Sequence, residues 1–121
     1  MKYFEDDISQ MVGLTFYKVK GEKEGGELLF VGAGDTPSFM FYHEQDCCES
    51  VSIEDIVGDL SDLEGVPLLE AREDTQDGGG DYESATWTFY NFATFKGYVT
   101  IRFLGTSNGY YSEDVDCRKE L

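Results

Sequence analysis

The sequence predicts an α+β domain: a mostly antiparallel sheet of six or seven strands, a short N-terminal helix, and one helical insertion, about residues 52–64, between the third and fourth strands. Three observations carry this. Short apolar stretches are separated at close intervals by turns rich in Gly, Asp and Asn, as antiparallel strands require. Ala85 to Phe95 and Tyr98 to Leu104 flank a tight Lys96-Gly97 turn and read as the clearest hairpin in the chain. Ile53, Ile56, Val57, Leu60 and Leu63 keep helical spacing behind Ser52, whose capping-box-like partner is Asp55.

Taken in order, Phe4, Ile8 and Met11 lie at helical spacing, with Glu5, Asp6 and Asp7 in the first turn where acids suit the helix dipole. Gly13 ends that helix. Leu14 to Lys20 and Glu27 to Ala33 form a hairpin across a Gly-rich turn, and Ser38 to His43 is the third strand, apolar on both faces and therefore central. After the insertion, where Gly58 costs about 1 kcal/mol relative to Ala and Gly65-Val66-Pro67 closes the helix, Val66 to Glu73 reads as a strand. Residues 74–83, with three consecutive glycines, read as a mobile loop. Pairing Phe95 with Tyr98 in the hairpin puts Tyr90 and Phe92 on one face with Val99, Ile101 and Phe103, which makes that face core. The other face carries Trp87, Phe89, Asn91, Tyr98 and Arg102. Asn108-Gly109 turns into a short last strand, Tyr110 to Val115, and residues 117–121 are expected to fray.

A length of 121 residues suits one domain, and 15% aromatic residues separate it from acidic disordered tails. Nine Lys and Arg face twenty-five Asp and Glu, a formal charge of -16, and no Lys or Arg occurs between Glu24 and Ala71. Such a field repels phosphate backbones and anionic membranes and attracts basic protein surfaces, so direct nucleic-acid binding is disfavoured. No apolar run reaches the roughly 18 residues of a membrane span, and the first residues lack a signal core, so the expected location is the cytoplasm. Three cysteines, two of them adjacent, do not make a disulfide framework, and free thiols are expected.

Phe39 to Val51 draws attention because an apolar strand there runs into the only histidine and two neighbouring cysteines. His43, Cys47 and Cys48, with or without Cys117, could be read as a zinc site or as a thiol nucleophile with its base. Adjacent cysteines place two sulfurs poorly in one tetrahedron, and Glu44, Asp46 and Glu49 around them would raise thiol pKa values. The favoured reading is structural: one thiol buried against Ile56 or the hairpin core at the entry to the helix, with no metal and no other cofactor. The glycine runs at 32–34 and 78–80 open no helix with a following Lys and are turns, not phosphate loops.

Tyr42-His43-Glu44-Gln45-Asp46-Cys47-Cys48-Glu49-Ser50-Val51, with Trp87-Thr88-Phe89-Tyr90 and Ser107-Asn108-Gly109-Tyr110-Tyr111-Ser112-Glu113, resembles a family of small, uncharacterised bacteriophage and bacterial proteins. The resemblance implies a phage or mobile-element setting and carries no activity, cofactor or catalytic residue. The functional expectation is accordingly an acidic protein-binding module. Its expected partner is a basic, nucleic-acid-holding surface of a host protein, such as a defence or transcription component. Glu44, Asp46, Glu49, Glu54, Asp55, Asp59 and Asp62 are the expected contacts. A metal- or thiol-dependent enzyme, or a zinc-stabilised domain using His43, Cys47 and Cys48, is the alternative.

Overall fold

The computed structural model describes residues 2–3, 8–78 and 84–120. Its strands are β1 (Lys2–Tyr3), β2 (Lys18–Lys20), β3 (Leu28–Val31), β4 (Ser38–Tyr42), β5 (Ser50–Val57), β6 (Glu70–Asp77), β7 (Ser84–Thr94), β8 (Gly97–Ser107) and β9 (Asp116–Glu120). They form two antiparallel sheets, one of five strands in the order β1-β9-β4-β3-β2 and one of four in the order β5-β8-β7-β6. The first is the meander β2 to β4 extended by β9 and then β1, and the second is the meander β6 to β8 extended by β5. β9 returns from the second sheet to pair with β4, matching Phe41 with Cys117.

The two sheets meet through aromatic rings because every strand alternates inward and outward side chains. Phe30 lies 4.8 Å from Phe92 and Phe41 lies 4.7 Å from Tyr90, ring centre to ring centre, each pair spanning the sheets. Phe16, Phe39, Ile53, Leu63, Val99, Ile101 and Phe103 complete a core with essentially no exposure. A fully enclosed side chain of this size contributes about 1.5–3 kcal/mol of transfer free energy.

This is an all-β architecture among the described residues, so the α+β expectation is overturned. The expected helical insertion at 52–64 is β5 followed by a single 3-10 turn, Leu60–Leu63, capped by the Asp59 carboxylate. A bulge explains the misreading. The pairing of β5 with β8 shifts between Ile53 and Asp55, so Ile53 faces Phe103 while Ile56 faces Ile101. The extra residue converts a period of two into a spacing of three, which imitates one helical turn. The β-branched density of Val51, Ile53, Ile56 and Val57 then favours the strand. Of the expected opening helix only a 3-10 turn, Ile8–Met11, is seen; Phe4 to Asp7 lie outside the described residues.

Other boundaries also move. The strand expected at Val66 to Glu73 begins at Glu70 and continues to Asp77, because pairing with β7 is unbroken from Glu70–Ala93 to Asp77–Thr86. Residues 74–77 are therefore strand rather than loop, and residues 79–83 lie outside the description. Residues 108–115 form a loop instead of a final strand, and the tail expected to fray is β9, anchored by five register pairs to β4. The central hairpin has the expected faces in a different register: Thr94 pairs with Gly97, Phe92 with Val99 and Tyr90 with Ile101. A slip of two residues preserves faces because the side-chain period is two.

Candidate functional site

The segment following β4 folds around one carboxylate. Glu49 turns back under its own loop, where its side chain is fully enclosed and that of His43 is 4% exposed. Its Oε2 accepts from His43 Nε2 at 2.7 Å and from the Asp46 N–H at 2.9 Å, and its Oε1 accepts from the Cys47 N–H at 2.9 Å and Gln45 Nε2 at 3.3 Å. Gln45 Nε2 also reaches the Glu49 carbonyl at 2.7 Å. The hydrogen bond from His43 holds the Glu49 carboxyl down at about 2 against the opposing pull of burial, with the loop amides adding to the effect.

His43 spans two segments. Its Nδ1 donates to the Asp114 carbonyl at 2.8 Å while Nε2 donates to Glu49. Both partners are acceptors, so both ring nitrogens carry protons and the imidazole is a cation. Burial alone would lower its pKa; the bonds to Glu49 and to the Asp114 carbonyl, with the charges of Glu49 and Asp116, outweigh it and raise the value above the ordinary 6.5.

A second enclosed carboxylate, Glu113, anchors the loop that faces this one. It accepts from Thr86 Oγ1 at 2.8 Å and from Ser107 Oγ, and these bonds overcome burial to lower its pKa. Its backbone crosses Gly105 so closely that a Cβ there would stand 2.5 Å from the Glu113 carbonyl oxygen. Glu44 closes the arrangement: its N–H donates to Asp116 Oδ2 at 2.9 Å and its carboxylate meets Arg118 at 3.2 Å, while that guanidinium lies 4.9 Å over the Tyr42 ring.

The loops at 43–49 and 108–115, with the start of β7, thus converge at one end of the sandwich. Two enclosed glutamates brace them from beneath. Glu44, Gln45, Asp46, Cys47, Cys48, Tyr110, Ser112 and Asp114 are exposed above, Tyr110 by 82%. Loops braced on a rigid sandwich are a common way to present a binding surface.

The other residues singled out from the sequence separate. Glu54 and Asp55 lie on β5, both against Arg102, at 2.6 and 3.7 Å. Asp59 caps the 3-10 turn and Asp62 lies within it, beyond the far end of β5. Glu49 is withdrawn from the surface and leaves the set of contacts. Glu113, Asp114 and Tyr110 were missed because nothing in their spacing marks a loop that folds back onto a distant strand.

His43, Cys47 and Cys48 do not converge on a common point for a metal, since the bonds already described use both imidazole nitrogens. Among the described residues no group of three or more His, Cys, Asp and Glu is placed to hold an ion. Cys47 and Cys48 are both exposed and joined to each other as a disulfide, which corrects the expectation of free thiols with one packed in the core. The buried thiol is Cys117 on β9, where burial pushes its pKa up to about 12. That thiol is a core side chain and no nucleophile at neutral pH.

A family of domains of unknown function, DUF7448, matches residues 9–117. The chain belongs to that family. No curated protein and no solved structure matches it. The span assigned to the DUF7448 domain takes in the strands from β2 to β8, both enclosed glutamates and the two converging loops. Among its described residues no helix is long and apolar enough to cross a membrane.

Proposed function

We propose that this DUF7448 domain is a small acidic protein-binding module that occupies a basic surface of another protein. The observation that carries the reading is the segregation of charge between the sheets. The strands of the four-stranded sheet bear Glu54, Asp55, Glu70, Glu73, Asp74 and Asp77 against Arg72 and Arg102, and both arginines are taken up in ion pairs. The five-stranded sheet bears Lys18, Lys20, Arg118 and Lys119 against Asp116 and Glu120, with Lys18 paired to Glu64 and Arg118 to Glu44. Acid that served only solubility would need no such sidedness, whereas a field directed at one partner does.

The loop end adds the exposed acids Glu44, Asp46 and Asp114, with Tyr110 exposed on the second loop. Tyrosine on a braced loop supplies contact area at low entropic cost, and the acids steer a basic partner onto it. The resemblance of these loop motifs to small bacteriophage and bacterial proteins supplies a setting: a phage-borne protein in the host cytoplasm, masking a surface that otherwise holds nucleic acid in a defence or transcription component.

The test is capture from host lysate by the immobilised protein across a salt series, beside the triple variant Glu44→Lys, Asp46→Lys, Asp114→Lys and the control Lys18→Glu, Lys20→Glu. A basic partner retained at low salt, released by a few hundred millimolar salt, lost in the triple variant and kept by the control supports the reading. Retention that ignores both salt and the triple reversal overturns it.

A further inference from the structure

The four-stranded sheet has two edges, and the chain treats them differently. At β5 the segment after β2 lies alongside: Glu24 N–H donates to the Ile53 carbonyl at 2.7 Å, and Ile53 N–H to the Gly25 carbonyl at 2.8 Å. At β6 every residue from Arg72 to Asp77 is exposed, and no described residue pairs with the outer side of Glu73 to Asp77. Gly78 N–H donates inward to the Ala85 carbonyl at 2.7 Å. By the alternation of an antiparallel ladder, Asp74 and Gln76 also point their amides at β7, while Glu73, Thr75 and Asp77 turn theirs outward.

An open edge is a template for another strand, and proteins usually block it with a bulge, a proline, a lysine or a covering loop. Between Glu70 and Asp77 there is no bulge, proline or lysine; the register against β7 runs unbroken. What stands there is negative charge. Asp74 and Asp77 have no ion pair among the described residues, and Glu70 is matched with Arg72 at 2.9 Å. A second copy pairing edge to edge would set these acids against each other, which disfavours self-association. A basic strand meets no such penalty.

Beside this edge lies a shallow cavity of about 220 Å³ lined by Gln76, Asp77, Trp87, Phe89 and Arg102. Arg102 stacks 5.3 Å over the Trp87 ring. Trp87 stands opposite Gln76, and Phe89 opposite Asp74, so the aromatic floor adjoins the acidic edge. On an added strand, alternate side chains would share the outer face with Asp74 and Gln76, where a lysine stem can reach across β6 towards Phe89 and Trp87 while its ammonium meets Asp74.

We infer that the edge of β6 at Glu73–Asp77, unpaired on its outer side among the described residues, accepts an extended, lysine-bearing segment of a partner protein as a fifth antiparallel or parallel strand, with alternate side chains on the face that carries Asp74, Phe89 and Trp87. This deepens the reading of the chain as an acidic protein-binding module and rests on it.

The probe is a synthetic eight-residue peptide alternating lysine and valine, compared with a twin of the same sequence N-methylated at every second backbone amide, the registers of methylation being tested in turn. Binding is titrated by Trp87 fluorescence, and amide hydrogen exchange is followed residue by residue. The expected result is affinity at least tenfold weaker for every methylated twin, with slowed exchange at Glu73, Thr75 and Asp77 only when the unmodified peptide is present. Asp74→Lys with Asp77→Lys, exposed side chains whose reversal leaves the inward ladder intact, should abolish binding at low salt. Equal affinity for peptide and twins, or no protection along β6, overturns strand addition while leaving charge-driven binding at the loop end to its own test. No binding of the peptide at all makes the acids a guard against edge pairing and overturns the proposal. Because the proposed-function test reverses only Glu44, Asp46 and Asp114, its failure and the failure of this one are read separately.

Discussion

His43 Nε2 and Glu49 Oε2 stand 2.7 Å apart inside the loop that follows β4, and the second imidazole nitrogen reaches the Asp114 carbonyl, so one cation ties two loops together. The pair fixes a pH window for the loop end. Glu49, lowered from 4.5 to about 2, contributes stability that is complete above 4.5 and lost as pH falls towards 2. His43, raised above 6.5, contributes stability that is complete below 6.5 and lost as pH rises through its folded value. Amide exchange at Asp46 and Cys47, corrected for intrinsic rate, should therefore be slowest between about pH 4.5 and 6.5 and accelerate on both sides. A flat profile from pH 3 to 9 would show that the pair does not hold the loop.

Substitution should separate the two partners. His43→Ala leaves a carboxylate enclosed without its cation, and Glu49→Gln keeps the shape while removing the charge that the imidazole faces. Both should lower the melting temperature at pH 6 and speed exchange through the 43–49 and 108–115 loops together, since His43 bonds to each. Loosening confined to one loop would contradict the coupling.

Gly105→Ala is expected to act at the same end by crowding. The new methyl would meet the Glu113 carbonyl oxygen at 2.5 Å and its Cβ at 2.8 Å, and backbone in a sheet yields little. A cost of about 1–3 kcal/mol in denaturant unfolding follows, with faster exchange in the 108–115 loop. Stability unchanged from the parent would mean that the loop rides higher over β8 than the structure places it.

The three cysteines should report their places chemically. Without reductant at pH 7.5 the native protein should take up no alkylating reagent, because Cys47 and Cys48 are joined and Cys117 is buried with its thiol pushed up to about 12. After mild reduction two labels should enter, both at 47 and 48, and a third only on unfolding. Cys117→Ala should cost about 1–2 kcal/mol, while Cys47→Ala or Cys48→Ala should cost within about 0.5 kcal/mol, as exposed positions do. Rapid labelling of Cys117 in the folded protein would contradict its burial.

At the centre of the sandwich, Phe41→Ala should be among the most damaging changes, at about 3–5 kcal/mol. Its ring touches Phe30 within its own sheet and Tyr90 and Phe92 in the other, so its loss opens a cavity between the layers. Phe95→Ala, at the tip of the hairpin and 76% exposed, should cost almost nothing in the same assay.

The sequence by itself determined the strands whose side chains alternate cleanly. The β2–β3 hairpin, the β7–β8 hairpin with its core face of Tyr90, Phe92, Val99, Ile101 and Phe103, and the acidic imbalance were all legible, because period and composition are local properties. Tertiary structure decided the rest. One inserted residue in β5 turned a strand's spacing into a helix's, and only pairing with β8 reveals the bulge. The polar stretch Glu73–Asp77 reads as loop until β7 supplies its hydrogen bonds, since an edge strand needs no apolar face. Glu49 read as one more surface acid, and His43 as a candidate ligand. Glu49 is held by residues 43–47 of its own loop, while the second bond of His43 depends on Asp114, seventy-one residues beyond it, being brought back by β9 to the end of β4. Charge can be counted from the residues, but which charges are spent on one another is set by distances that only the folded chain creates.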